Sequence, residues 1–517
     1  MKKRLFWKPA LIAAVSLLIV SCGGSDYRNA LPGDSFVTLS FKAQTLLDKA
    51  NVGDIKQTAL YQMAEDGFDD MDVPTAVQEY LLSVLAEPAK SGLDLKTDAY
   101  FFVKMEMDEY GYDTSGEGGM LFKVANKGDF DSFAAALAEQ GEFEIQTSDN
   151  VSMIVIDDDT RSSSILAYNN DACIIYFAQK SYDEVLSRVK ELFAQGQSQS
   201  IMANKAVAAE LSSRNDLCGV LSLNNLPAAI KSEIPNQTLP GMAAIMSSTI
   251  IMPLNFEKGK VVMGVKTVFD NKEDEKEYKK AYDYVGTQSG KLLSFLPLNS
   301  IGVVGANLKG AKIYEMIASM REFAMVGAVP QVEQIMNAID GDMTFSVKGS
   351  TDSPELSLLA NVNDASVVEA LTGIAEMAGL PYTEAAPGQY RINLDFFGIN
   401  IDFGVKNKVL YVTNDSEVAA AINGEKIESI AGKFGHVFKG SSGSVAVDFD
   451  LLMPTIKSAM RYSYGSDQVF QVLAIFDTFE ASGSGLESVL VLNMKDKDKN
   501  ALETISALTS KLITEAY

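Results

Sequence analysis

Asp98-Ala99-Tyr100-Phe101-Phe102-Val103-Lys104 and Asp342-Met343-Thr344-Phe345-Ser346-Val347-Lys348 decide the fold between them. Each is a strand-length run, opened by an acid and closed by a lysine. Each follows the same series of elements. The first series opens at Leu31-Pro32-Gly33-Asp34-Ser35, passes through an apolar strand from Phe36 to Phe41 and enters a helix. The second opens at Leu296-Pro297-Leu298-Asn299-Ser300, passes through Ile301 to Ala306 and enters a helix holding Tyr314 and Met320.

The agreement continues downstream. Second strands follow, Gly119 to Ala125 and Glu355 to Val362, each leading into a short helix rich in Ala and Leu. Ile165 to Phe177 and Ile399 to Thr413 both read strand, turn, strand. Both are followed by an acid-started helix, at Ser181-Tyr182-Asp183-Glu184 and at Asp415-Ser416-Glu417. Ile230-Lys231-Ser232 is echoed by Ile456-Lys457-Ser458, and Val261 to Phe269 by Glu487 to Met494. This shared order of elements predicts a tandem duplication. The separation between matched positions shrinks along the chain, so insertions belong to the first copy. One is a helical region within 55–90, the other the loop Glu106 to Gly118.

Alternation such as Asn400-Ile401-Asp402-Phe403-Gly404-Val405 points to sheets with one covered face. Short turns favour antiparallel pairing, and amphipathic helices would cover the sheets. The expected class is α+β: two tandem related copies, each a mostly antiparallel sheet covered by amphipathic helices. The expected boundaries are a first copy at 31–285, a linker at 286–295 and a second copy at 296–517.

Ahead of these copies, Lys2, Lys3 and Arg4 precede an apolar run from about Ala10 to Val20, which ends in Ile19-Val20-Ser21-Cys22. A basic start, an apolar stretch and small residues before a cysteine predict a lipoprotein signal peptide at 1–21. Residues 22–30 would then be a tether beginning at a lipidated Cys22. The apolar run is about half the ~20 residues of a membrane span. The expected anchor is the lipid, since two or more acyl chains hold stably where one is marginal.

The net charge of −24 includes Lys2, Lys3, Arg4 and Lys8, whose loss with the leader leaves −28. So acidic a body repels phosphate backbones and anionic headgroups, which excludes nucleic-acid binding. After Cys22 only Cys173 and Cys218 remain, both in apolar strand-like runs, and two buried thiols are expected rather than a bridge. The single tryptophan, Trp7, lies in the leader, so the mature chain has no indole platform for sugars.

Catalytic constellations are scarce. His436 is the only histidine, set in Phe434-Gly435-His436-Val437-Phe438, which reads as structural. Gly286-Thr287-Gln288-Ser289-Gly290-Lys291-Leu292 imitates a phosphate loop. It is one residue short between the glycines, and Leu292 replaces the magnesium hydroxyl; it reads as flexible linker. Asp496-Lys497-Asp498-Lys499-Asn500 begins like a calcium loop, but Ala501 stands where glycine is required, so it reads as a strand-to-helix turn. Asp157-Asp158-Asp159 reads as a solvated hairpin turn, and a strand-by-strand count sets it at the opposite end of the sheet from the 106–118 loop. That loop carries Glu106, Asp108, Glu109, Tyr110, Tyr112 and Asp113, a candidate contact site for a cation or a partner.

The signal peptide, the start Tyr27-Arg28-Asn29-Ala30-Leu31-Pro32, the strand-helix opening and the strand Asp98 to Lys104 resemble an uncharacterised lipoprotein family. It is the domain-of-unknown-function family numbered 4836, common in Bacteroides-type gut bacteria. The resemblance covers most of the mature chain and implies a lipid-anchored envelope protein with no assigned activity. It carries over no catalytic residue. Gly23-Gly24-Ser25-Asp26 has a single acid, which favours the periplasmic face of the outer membrane over the cell surface. The sequence therefore predicts a non-enzymatic binding or scaffold protein. It would be held to the membrane through Cys22, with an envelope protein or a small ligand as partner and neither cofactor nor metal. The rival is a carboxylate-based hydrolase acting on glycans in a cleft between the copies.

Overall fold

The computed structural model describes residues 26–516 apart from 59–60, 62–64, 66–74, 108–113, 159–161, 234–240, 321–328, 395–397, 462 and 464. The stretch 1–21, expected to be a leader, and Cys22 lie outside the described residues. Twenty strands are described. The first ten are β1 (Val37–Phe41), β2 (Ala99–Met107), β3 (Thr114–Lys123), β4 (Ile145–Ser148), β5 (Val151–Asp158), β6 (Ser163–Tyr168), β7 (Ala172–Ala178), β8 (Leu217–Ser222), β9 (Ser248–Glu257) and β10 (Lys260–Phe269). The second ten are β11 (Gly302–Lys309), β12 (Ile339–Gly349), β13 (Pro354–Val362), β14 (Tyr382–Ala386), β15 (Gln389–Leu394), β16 (Ile399–Lys406), β17 (Val409–Thr413), β18 (Gly443–Asp448), β19 (Phe476–Ser484) and β20 (Glu487–Met494).

Every pairing among them is antiparallel. Neighbour to neighbour, the first ten run β4-β5-β6-β7-β3-β2-β1-β8-β9-β10. The second ten run β14-β15-β16-β17-β13-β12-β11-β18-β19-β20, the same order. The halves join through β10 and β20. Lys260 faces Asn493, Met263 faces Leu490 at the centre, and Lys266 faces Glu487. The sheet therefore continues unbroken across the join.

Local chemistry sets these elements. Asp149-Asn150 and Asn407-Lys408 take positive φ in the two-residue turns between β4 and β5 and between β16 and β17, as primed hairpin turns require. The helix Tyr182–Ala194 starts with Ser181 and Glu184 in a capping box, and Ser416–Ile422 starts with the Asp415 carboxylate accepting the Glu417 amide. Both starts stand where the acid-started helices were expected. Gly259, at the tip between β9 and β10, has φ +67°, and a Cβ there would lie 2.8 Å from Lys497 Cα.

Both faces of the first half are covered, not one. All six residues of β6 are buried. On one face Phe122, Phe130, Phe133 and Leu137 pack with Val77, Leu81 and Val84 beneath the helices Thr75–Ala86 and Lys127–Gly141. On the other, Tyr100, Phe102 and Tyr176 pack with Val185, Val189 and Leu192. The second half is thinner. Among the described residues Leu292, Leu293, Val418, Ile422, Phe434 and Phe438 form its larger core, with two small ones at Ala360, Val367 and Val368 and at Ala375, Ile392 and Phe403.

Three further expectations change. The stretch 286–295, read as a flexible linker, is packed: the Gln288 amide donates to Ser441 O (2.7 Å), and Leu292 and Leu293 are buried. The helical region within 55–90 is not wholly an insertion. Helices Gly310–Ser319 and Pro330–Ala338 stand between β11 and β12 where Ala43–Lys49 and Thr75–Ala86 stand between β1 and β2. The 106–118 hairpin and the Asp157 turn share one end of the sheet, since Glu117 faces Ala178, Ala178 faces Ser163 and Ser163 faces Asp158. The helix Lys127–Gly141 returns the chain between β3 and β4 and so resets the strand count.

One helix and one turn cross the join. Ala501–Ala516 follows β20 but packs on β9 and on Ala43–Lys49. Lys272–Ala281 follows β10, and the turn after it is tied to the second half, with Asp283 paired to Lys312 and Lys309 Nζ donating to Asp283 O (3.1 Å).

Candidate functional site

The first crossing leaves a cavity of about 800 Å³. Its floor is Phe41 at the end of β1, Leu217 at the start of β8 and Phe256 near the end of β9; Phe41 and Leu217 are direct cross-strand neighbours. Leu46, Leu47 and Ala50 of the helix Ala43–Lys49, together with Val52, form one wall. Leu502 and Ile505 of Ala501–Ala516 form the other, with Glu503, Ser506, Thr509 and Ser510 alongside. Asn51, Asp54 and Thr58 add polar groups to the lining. Ligand sites commonly occupy 300–1,000 Å³ and mix an apolar lining with a few polar groups.

Both walls are pinned to the same strand end. Lys49 Nζ donates to Asp216 Oδ2 (2.6 Å) and to Phe256 O (2.8 Å). From the other wall, Asn500 Nδ2 donates to Phe256 O (3.0 Å) while Asn500 Oδ1 accepts the Leu502 amide (2.9 Å) and caps the helix. Asp496 Oδ1 accepts the amides of Asp498 and Lys499, so the calcium-like stretch is the strand-to-helix turn its sequence suggested. Asn51, in the left-handed region at φ 56°, ends the helix Ala43–Lys49 and reaches Glu503 Oε1 (3.5 Å).

The lining includes neither a cation nor a cysteine or histidine. Cys218 follows Leu217 but is buried in the core of the opposite face, and burial pushes its thiol up to about 12. Burial likewise pushes the Cys173 thiol up. Both are free and buried, as inert structural thiols are.

The second crossing forms a smaller crevice of about 460 Å³. There Tyr278 and Tyr282 lie over Gly443, Ala481 and Gly483, where the first crossing offers Leu and Phe.

Of the candidate contact residues, Glu106 stands near the end of β2. Its carboxylate is held by Lys104 (2.8 Å) and Lys180 (2.9 Å). Burial works against its charge, but the two lysines outweigh it and hold the carboxyl below the usual range. Asp108, Glu109, Tyr110, Tyr112 and Asp113 lie outside the described residues. Behind Glu106, the buried Glu117 meets Arg188 (3.1 Å) and Lys180 (3.1 Å), and Asp34 meets Arg188 (2.6 Å) and Lys104 (3.0 Å). This is a charge-balanced network rather than a vacant cation site. Among the described residues no group of three or more His, Cys, Asp or Glu is arranged to hold a metal.

The phosphate-loop imitation is occupied from within. The amides of Ser289 and Gly290 and the Ser289 hydroxyl donate to the Asp342 carboxylate (2.9, 3.2 and 2.6 Å to Oδ2), which takes the place an anion would need. His436 projects from the helix Ala431–Phe438, two-thirds exposed, with Nε2 3.0 Å from Glu480 Oε2.

The cavity escaped sequence reading. Its floor comes from three strands, and its far wall from a helix some 460 residues along the chain from Phe41. The available signal was the last helix itself, where Leu502 and Ile505 alternate with Glu503, Ser506 and Ser510 at helical spacing.

Fold and site together define an antiparallel α+β protein with a ligand-sized apolar cavity. The chain belongs to the family described as Domain of unknown function (DUF4836), whose model matches residues 27–502. Among curated proteins none matches. Among solved structures, crystal form I of TP0453 aligns at 7% identity over 78% of this chain and 97% of that one, with a TM-score of 0.18. At that score the likeness carries no argument.

Proposed function

We propose that this protein is a non-enzymatic binding protein of the cell envelope. It is anchored through a lipid on Cys22, at the periplasmic face of the outer membrane, and takes its ligand in the cavity beneath Ala501–Ala516. The observation that carries the binding reading is an apolar cavity of about 800 Å³ with both walls pinned to one strand end. We further read the chain as two copies of one unit, 31–285 and 296–517. The identical strand order supports this, as do the cross-strand pairs Lys104–Glu117 and Lys348–Glu355 and the bridges Pro32–Ser200 and Pro297–Ser429. On this reading the second copy's last helix lies on the first copy, and the cavity belongs to both.

A carboxylate hydrolase at this place would have to use Asp54 and Glu503. Asp54 Oδ1 accepts the Lys56 amide (3.0 Å), and Glu503 is engaged by Lys499 (3.6 Å) and Asn51. A glycan, polar on every edge, would set one edge against Phe41, Leu217, Phe256 and Ile505, side chains that offer no hydrogen bond. Binding is the better fit.

The test is saturable binding of Nile red, a neutral apolar dye, to the Cys22→Ser protein, with Leu217→Trp as the cavity-filling variant. The expected result is one site, lost in the variant while the fold is retained by circular dichroism. Binding that is equal in both proteins, or absent from the parent, would remove the cavity as the site. Metabolic labelling with palmitate tests the anchor, and label that persists after Cys22→Ser would refute it.

A further inference from the structure

We infer that the cavity selects uncharged or cationic amphiphiles and rejects anionic ones; this rests on the binding reading above. The lining has two carboxylates, Asp54 and Glu503, and no cation. Lys49, next to the wall, is already committed to Asp216 and to the Phe256 carbonyl, and Lys499 pairs with Glu503. A ligand carboxylate or phosphate entering here would lose water without gaining a counter-charge, and would meet like charge. The strongly acidic body adds to that repulsion. A neutral head meets none of this, and an ammonium head meets attraction.

The polar groups also say how such a molecule lies. Glu503, Ser506 and Ser510 follow one another at helical spacing and form one line along the helix. Leu502 and Ile505 form the adjoining line, facing the floor of Phe41, Leu217 and Phe256. The border between the lines runs along the helix axis for about 10 Å at ~1.5 Å per residue. A ligand with one apolar and one hydrogen-bonding edge fits along that border. A hydroxyl both donates and accepts, so Ser506 satisfies a neutral hydroxyl, amide or sugar head.

The experiment is displacement of Nile red from the Cys22→Ser protein by three twelve-carbon probes below their micelle concentrations: dodecyltrimethylammonium, dodecyl maltoside and dodecanoate. The expected result is displacement by the first two, with dodecanoate weaker by about tenfold or more at low salt and the gap narrowing as salt screens it. Glu503→Lys should admit dodecanoate and weaken the ammonium probe; Glu503→Gln should weaken the ammonium probe alone. Dodecanoate binding as tightly as the others would overturn the inference while leaving the binding reading intact. Binding of no probe, Nile red included, would instead remove that reading itself. A dimer broken by Leu217→Trp, with no probe bound, would reassign the surface to a second copy of the chain and overturn both.

Discussion

The two halves of the sheet share a strand order but not a core. Lys104 opposite Glu117 and Lys348 opposite Glu355 align them, and five residues further on β3 carries Phe122 where β13 carries Ala360. In the helices that follow, Phe130, Phe133 and Leu137 stand where the second half has Val368, Leu371 and Ala375. Phe101 packs against the first core, whereas Phe345, its counterpart in β12, is 40% exposed, and Val304 and Leu356 are exposed too. Order and register follow from turn chemistry, caps and alternation, which both halves keep. Core volume is a separate variable, and here it differs by several large side chains.

The comparison breaks or holds most clearly at its largest difference. Phe130→Ala should cost about 3–5 kcal/mol, because a fully buried aromatic leaves a cavity that cannot close. Val368→Ala, at the counterpart position, should cost about 1–2 kcal/mol. Cys173 and Cys218 both lie in the first half, so with Cys22→Ser their alkylation in urea reports that half alone. We expect Phe130→Ala to move thiol exposure to lower urea, and Val368→Ala to move the circular dichroism transition with thiol exposure unchanged. Thiol exposure that shifts with the whole signal in both variants would mean that the β10–β20 join makes one cooperative unit.

The next difference is charge. Removing Lys104 leaves Glu117 its contacts with Lys180 and Arg188. Lys348 stands alone among Glu355 (2.7 Å), Asp415 (3.0 Å) and Glu417 (3.0 Å), and Asp415 is buried. Lys348→Met should therefore cost about 2–3 kcal/mol, somewhat below a fully buried broken pair because Glu417 is half exposed. Lys104→Met should cost under about 1 kcal/mol. Urea midpoints at neutral pH measure both, and equal losses would refute the contrast. Burial opposes the Lys348 charge, but the three carboxylates outweigh it and raise its pKa above the ordinary 10.5. Its contribution is thus fully present below that value and is lost as pH rises through the folded one.

Much of this frame was legible beforehand. The paired strand sequences, the shared Leu-Pro openings and the acid-started helices all describe local chemistry, which a single chain displays. The burial of Cys173 and Cys218 was legible for the same reason, from the apolar runs around them. The cavity was not, because it forms only when Ala501–Ala516 crosses to β1, β8 and β9, and nothing local to Leu502 or Phe41 records that meeting. The linker reading of 286–295 failed on a related point. Gly286-Thr287-Gln288-Ser289-Gly290 looks free in sequence, and Asp342, which binds its amides, stands over fifty residues away. The strand count failed because one crossover helix reverses the bookkeeping for every strand after it.

The smallest effect concerns acid. Burial works against Asp34 and Glu106, but Arg188 and Lys104 for the one, and Lys104 and Lys180 for the other, hold both carboxyls below their ordinary values of 3.8 and 4.5. A folded value below the ordinary one means stability that is present above about pH 4.5 and lost as pH falls through the folded value. Asp34 is 45% exposed and Glu106 30%, so solvent screening leaves each worth about 0.5 kcal/mol or less. The double variant Asp34→Asn with Glu106→Gln should therefore trail the parent slightly from pH 7 to 5 and draw level with it towards pH 3. Reaction of the two thiols with a dithiodipyridine, which proceeds in acid where alkylation does not, reads this in urea at pH 7, 5, 4 and 3 in the first half, where both residues lie. A deficit that stays constant down to pH 3 would mean that packing, not charge, is what these carboxylates contribute.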